Sequence, residues 1–338
     1  MKFLKEILAS RQMGLFAALL VIALGFGFSN ADFRDPLNLL DRSRHWVEIG
    51  IIAIPMTFII ATGGIDLSVG SLLALSGIVT GLCLHDLHWS LATALLAGIV
   101  TGLVGGMLNG LIVSLLRVPA LVATLATLAL YRGLAMGLSQ ANPIRDLPEA
   151  FTDWGSLATL DLGSWSIPQQ TLLLLACMAV GGWFFAKSCL GRWVTQIGEN
   201  PTAARFSAVP VASVQFTIFA LSGLTCGLGS VLQTARFATA HPAAATGLEL
   251  EVIACVVIGG TRITGGSGSM LGTLLGLLIL GLLRFGMDMT GVMQQHQIIL
   301  IGALVVLTAI FNEWMARRGT RRKPAATLTP IPNLGGIA

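Results

Sequence analysis

Residues able to hold a proton, a metal or a phosphate are few in this chain and fall into no catalytic pattern. His85 and His88 flank Asp86 near a turn, too small a set for a metal site, and the five histidines assemble no other cluster. Cys83, Cys177, Cys189, Cys226 and Cys255 form no C-x-x-C pair and lie mostly in apolar runs, where a thiol acts as a small hydrophobe. There is no G-x-x-x-x-G-K-[ST] phosphate loop, no G-x-G-x-x-G after a strand, no G-x-S-x-G elbow and no H-E-x-x-H. Asp66, in GGIDLSVGS, is a carboxylate near membrane depth and therefore a functional candidate. Its plainer role is to cap the next helix, accepting from the Ser68 or Val69 N–H. Buried carboxylates are too few for a proton relay, so any transport by this chain draws its energy from elsewhere.

The elements that must position these residues are membrane helices. Apolar residues make up 54% of the 338 positions and charged residues 11%, against roughly 25% charged in soluble domains. Ten segments meet the length of a span or a bundle-buried half span: Met13–Ser29, Val47–Thr62, Ser71–Leu84, Ser90–Leu116, Ala120–Leu138, Gln169–Ala186, Val214–Ala235, Leu250–Gly260, Met270–Met287 and Gln294–Phe311. The third and eighth are short. The basic N-terminus runs into the first without a small-residue cleavage signal, which reads as a start-transfer span. With the N-terminus cytoplasmic, thirteen of the twenty Lys and Arg residues lie inside, so both termini are expected in the cytoplasm. That sorting also accounts for the net charge of +4 without nucleic acid. The exposed outer segments are then 30–46 and 139–168, the latter with Trp154 and Trp165 suited to the interface.

Glycine spacing organises the packing. Gly98, Gly102, Gly106 and Gly110 line one face of the fourth span, which is expected to be central; Gly77/Gly81, Gly223/Gly227 and Gly272/Gly276 repeat the interval. The interruptions GGIDLSVGS and IGGTRITGGSGS free backbone groups that hydrocarbon cannot satisfy, so they must lie against protein or a wet cavity. The stretch 187–213 is polar and basic. Within it, Asn200 as N-cap and Pro201 as first helical residue predict a short helix to about Ala208, ended by Pro210. So short a helix needs something to dock on.

Four stretches carry a resemblance: GGIDLSVGS (63–71), VPALVATLATLALYRGLA (118–135), GRWVTQIGENPTAARFSAV (191–209) and TGLELEVIACVVIGGTRITGGSGSMLGTLLG (246–276). In order and spacing they resemble the inner-membrane permeases of bacterial monosaccharide ABC importers, a family that includes ribose, xylose, arabinose, rhamnose and autoinducer-2 uptake systems. The resemblance covers roughly residues 12–312. It implies an all-α, multi-pass permease of about ten spans in the bacterial inner membrane, non-catalytic and binding no cofactor, with ATP and Mg held by partner ATPase subunits. A periplasmic sugar-binding protein and a second copy of the permease, or a related one, complete the expected partners.

It further implies that 191–209 is a coupling helix seated in the ATPase. Gly198, Glu199, Asn200, Pro201, Arg205, Phe206 and Val209 form that site, with Phe206 and Val209 as apolar anchors and Glu199 and Arg205 as rim charges. Asp66, Ser68, Asn109, Thr124, Thr127, Ser222 and Arg262 are the expected pathway or gate residues. Ala208 stands where the family commonly has glycine, and Arg262 where a small residue is usual. Residues 1–316 are read as one permease domain and 317–338 as a disordered basic tail meeting anionic membrane lipid. The competing reading is a stand-alone channel or facilitator, which leaves the capped helix without a partner.

Overall fold

The computed structural model describes residues 11–320 apart from 158, 163 and 164. Every expected segment is a helix. In chain order these are α1 (Arg11–Ser29), α2 (Pro36–Ser43), α3 (Val47–Ala61), α4 (Val69–His85), α5 (Leu91–Ser114), α6 (Ala120–Leu138), α7 (Glu149–Leu157), α8 (Gln169–Lys187), α9 (Cys189–Glu199), α10 (Pro201–Phe206), α11 (Val211–Phe237), α12 (Leu248–Ile258), α13 (Met270–Met289) and α14 (Gln294–Thr320). Among the described residues, seven helical stretches are long and apolar enough to cross a membrane, with α2 and α3 forming one of them. Helices α4 and α14 contribute shorter apolar lengths, and α12 has only 11 residues. Of the expected basic tail, 317–320 continue α14, and 321–338 lie outside the described residues.

Local signals set the helix starts. Ser90 Oγ accepts from Thr93 N–H at the head of α5, and Ser269 Oγ from Gly272 N–H at the head of α13. Asp35 caps α2 with Pro36 in the first turn. The outer segment after α6 holds α7 and a two-stranded antiparallel hairpin, β1 (Thr159–Leu162) with β2 (Trp165–Pro168), a small addition to the all-α expectation. Of the two expected interfacial rings there, Trp165 is exposed, and Trp154 packs half-buried against the core.

The glycine face of α5 meets α11 backbone to backbone. A Cβ built on Gly102 would lie 2.4 Å from the Gly223 carbonyl oxygen, and one on Gly106 would lie 2.4 Å from that of Phe219. In the same way Gly272 and Gly276 of α13 press on the Gly259 and Cys255 carbonyls. The expectation that this span is the central one is corrected: 28% of the α5 stretch is buried, against 78% for α2–α3. Glycines permit close approach on one face only, and the opposite face of α5 bares Leu96, Val100, Val104 and Leu111. The enclosed centre is α3, where all residues but Ile49 and Ile54 are buried.

Alternating helix directions give the bundle two unlike ends. At one, residues 62–68, 115–119, 187–210 and 259–269 gather around α10; the other carries the hairpin. The α10 end holds Arg117, Lys187, Arg192, Arg205 and Arg262, with Glu199 as its exposed carboxylate among the described residues. The hairpin end carries Asp32, Asp35, Asp41, Asp86, Asp146, Glu149, Asp153 and Asp161 together with Arg34, Arg42, Arg44 and Arg145.

Replacing Gly102 with alanine should lower the thermal unfolding midpoint in detergent by several degrees, because the added methyl meets backbone. Gly133, where an added methyl would find nothing within 4 Å, should accept alanine with no loss. Equal midpoints for the two variants would contradict the α5–α11 contact.

Candidate functional site

The stretch expected to meet a partner is built on α9. Ser188 caps this helix, and Gly191, Val194 and Ile197 recur at three-residue intervals to bury one face on the bundle. The last turn of α9 is locked in place. A Cβ on Gly198 would fall 2.0 Å from the Ala61 carbonyl oxygen and 2.3 Å from the Gly266 nitrogen. The Gly266 N–H donates to that same Ala61 oxygen at 2.9 Å, and Gly265 and Gly266 both hold φ near +83°. The end of α3, the end of α9 and the 259–269 turn therefore share one glycine junction.

From that junction α10 projects. Asn200 is extended, and its Oδ1 accepts from the Thr202 and Ala203 N–H groups at 3.0 Å each, as the sequence predicts. The helix stops earlier than expected, at Phe206 rather than about Ala208, and Pro210 is not what stops it. Ala208 adopts φ +60°, and the Val209 N–H returns to the Ala204 carbonyl at 3.1 Å, closing the helix with a left-handed turn. This geometry explains why glycine suits position 208. Pro210 serves instead as the N-cap residue of α11.

The two expected anchors separate. Phe206 is 89% exposed, whereas Val209 is buried at 7% within the protein's own core. Val209 is thus corrected from a partner anchor to an intramolecular one: the left-handed turn at Ala208 swings it inward, where it joins Ala204 in holding α10 down. Glu199, Pro201 and Arg205 are exposed. Arg205 also faces Arg117 across a crevice of about 560 Å³ between the 62–64 turn and the start of α11.

Six of the seven expected pathway residues gather just inside this end as a buried polar knot. Asp66 Oδ1 accepts from the Ser68 N–H at 3.0 Å and the Ser68 hydroxyl at 2.7 Å, and Oδ2 accepts from the Ser222 hydroxyl at 2.8 Å. Asn109 Nδ2 donates to Ser68 Oγ at 2.7 Å, and the Tyr131 hydroxyl donates to the Gly105 carbonyl at 2.8 Å. Thr124 donates to the Ile65 carbonyl at 3.1 Å, and Thr127 to that of Thr124. The 62–68 loop is thereby tied to α5, α6 and α11.

Asp66 accepts from the Ser68 N–H as expected, but it does not occupy the N-cap position. Ser68 holds the N-cap position of α4, and Asp66 braces it from two residues before, bonding to Ser68 and not to Val69. Arg262 stands apart from the knot, exposed on the 259–269 turn.

At the hairpin end the structure pairs residues that sequence reasoning leaves single. Arg236 at the end of α11 grips Glu48 of α3 through both guanidinium nitrogens, and Arg284 of α13 donates to Glu251 of α12 at 2.7 Å. A signal for them exists: VEIGIIAIP places Glu48, and LELEVIACV places Glu249 and Glu251, in an apolar helix, where a buried carboxylate requires a partner. Two arginines in the later turns of other spans are available to supply it.

Residues 43–309 match the family described as branched-chain amino acid transport system / permease component. The ribose import permease protein RbsC of Bacillus subtilis is 36% identical over 304 residues, covering 89% of this chain and 92% of that protein. The autoinducer 2 import system permease protein LsrD of Escherichia coli K12 is 32% identical over 329 residues, covering 93% and 98% respectively. No solved structure matches the chain.

Asp66→Asn should keep the knot, because the amide oxygen still accepts from Ser68 and its nitrogen can donate to Ser222 Oγ. Asp66→Ala orphans three donors and should destabilise by about 2 kcal/mol or more. Thermal unfolding of the purified variants checks this; a large loss in Asp66→Asn would show that the charge itself is required.

Proposed function

The chain belongs to the branched-chain amino acid transport system / permease component family, and from that premise we propose that it is the permease subunit of an ATP-driven importer of a monosaccharide or related polyol. A pentose, a deoxyhexose or autoinducer-2 is the expected cargo, since the relatives named above import ribose and autoinducer 2. ATP and Mg are held by separate ATP-binding-cassette subunits docked on the cytosolic face. A periplasmic binding protein delivers the solute, and a second permease completes the pathway. The orientation rests on the basic residues left without carboxylates: five at the α10 end stand against Glu199 and are assigned to the cytoplasm, whereas Arg34, Arg42, Arg44, Arg145, Arg236 and Arg284 at the hairpin end lie among the carboxylates there.

The observation that carries this reading is α10 itself. It is a capped helix with Phe206 at 89% exposure, held to the bundle by buried Ala204 and Val209 and by the glycine junction behind it. An exposed aromatic on a rigid mount is the geometry of a helix made to enter a groove. Closure of the ATPase dimer would push on α10, and the push would pass through Gly198 into α3 and the 259–269 turn, tilting the bundle as a body. A channel or facilitator needs no such projection.

In a complex reconstituted with its ATPase and binding protein, replacing Phe206 and Arg205 together with alanine should cut sugar-stimulated ATP hydrolysis at least tenfold. Removing a central aromatic anchor costs on the order of 2 kcal/mol or more in a docked helix. Insertion and thermal stability of the permease should be unchanged, as both side chains are exposed. Wild-type coupling in the double variant would contradict the docking.

A further inference from the structure

At the hairpin end a cavity of about 460 Å³ opens within the single subunit, walled by α3, α11, α12 and α13. Its size falls within the range of small-molecule sites. Its lining combines aromatic faces with planar charged groups, and the two are interleaved. Arg42 lies over the Phe285 ring at 5.3 Å and Arg236 over the Phe237 ring at 4.8 Å. The Arg236–Glu48 pair is at least nine-tenths buried on both sides, and the Arg284–Glu251 pair lies next to it. A buried ion pair is often no more stabilising than apolar residues of the same volume, so stability alone does not account for the Arg236–Glu48 pair, and the half-buried Arg284–Glu251 pair extends its charged surface along the cavity.

The charges in the wall balance. Arg42, Arg236 and Arg284 are matched by Glu48, Glu251 and Asp288, which leaves no net charge in the wall to favour an anion over a cation. Polar capacity nevertheless remains unused. The Gln233 amide and the His45 imidazole line the cavity and have no hydrogen bond to protein among the described residues. Trp46 lies beside them, its ring face closed by Gly281. An amide, an imidazole, carboxylates and guanidinium forks can each accept from or donate to neighbouring hydroxyls, while aromatic faces take C–H surface.

We propose that this cavity is a binding site, within one permease subunit, for a neutral polyhydroxylated solute. It holds such a solute at the end of the bundle opposite α10, apart from the polar knot around Asp66. Gln233 and His45 supply the free hydrogen-bonding edge, Phe237 the open apolar face with Trp46 packed into the wall beside it, and the two ion pairs a polar floor. The choice of solute class agrees with the importer reading, but the site itself is independent of ATPase docking.

The test uses the purified full chain in lipid nanodiscs, without partners, titrated with D-ribose, L-rhamnose and ribitol at millimolar concentrations while tryptophan emission is followed. D-ribose 5-phosphate forms the anionic arm and L-leucine the zwitterionic one. Neutral polyols should shift the emission, Trp46→Phe should remove the shift, and Gln233→Leu should weaken binding about tenfold, the scale of one lost hydrogen bond. The charged compounds should neither shift the emission nor compete. No response to any neutral polyol, a response that survives both substitutions, or tighter binding of the phosphate ester or the amino acid would overturn the proposal. A chain that couples to its ATPase yet binds no polyol overturns the cavity site alone. One that binds polyol without coupling overturns the importer reading alone.

Discussion

One hydrogen bond organises the α10 end: the Gly266 N–H donates to the Ala61 carbonyl at 2.9 Å, directly beneath Gly198. Where a helix ends at membrane depth, its freed backbone groups must find protein, because hydrocarbon offers nothing. The last carbonyl of α3 is met by a turn from a distant part of the chain, and α9 closes over both. A side chain at 198, 265 or 266 would force this junction apart, since each position is within 3 Å of a neighbour. The short helix α10, unstable alone, thus inherits a fixed position from three elements.

The polar chemistry of the bundle follows the same constraint at two depths. Near α10, the knot of Asp66, Ser68, Asn109 and Ser222 satisfies a loop that breaks the helical ladder between α3 and α4. At the far end, Glu48–Arg236 and Glu251–Arg284 join α3 to α11 and α12 to α13. The interior between them is mostly apolar, crossed by hydroxyl contacts such as Thr57 with Thr273 at 2.8 Å, and its close packing on glycine faces suits movement as a body more than local rearrangement. On the proposed function, a push at α10 reaches the far cavity through α3, which spans from Ala61 at the glycine junction to Glu48 at the ion pairs.

Much of this is legible in the sequence, and the losses have physical causes. The ten segments, the Asn200 cap and the contacts of Gly102 and Gly106 rest on local rules of length, capping and small-residue spacing, and these hold in the structure. The end of α10 is misplaced by sequence reasoning because proline is a visible breaker, whereas an alanine at φ +60° announces nothing. Val209 is misassigned for the same reason: its direction is set by that turn. The centrality of α5 is overread, since a glycine stripe reports one close neighbour and not enclosure on all sides. A carboxylate such as Glu48 in an apolar helix announces that it needs a partner, but that the partner is Arg236, 188 residues away, depends on tertiary placement that no local pattern encodes.

The central claim is that α10 moves with its own bundle. It is tested most directly by spin-label distances in the reconstituted complex, with labels on cysteines at the exposed positions Thr202 and Ile263 in a background lacking Cys189. On the proposed function, with two permease copies in the complex, the Thr202–Ile263 distance within one subunit should stay the same between nucleotide-free and ATP-bound states, while the distance between the Thr202 labels of the two copies changes. A nucleotide-dependent shift of α10 against its own 259–269 turn would contradict the account.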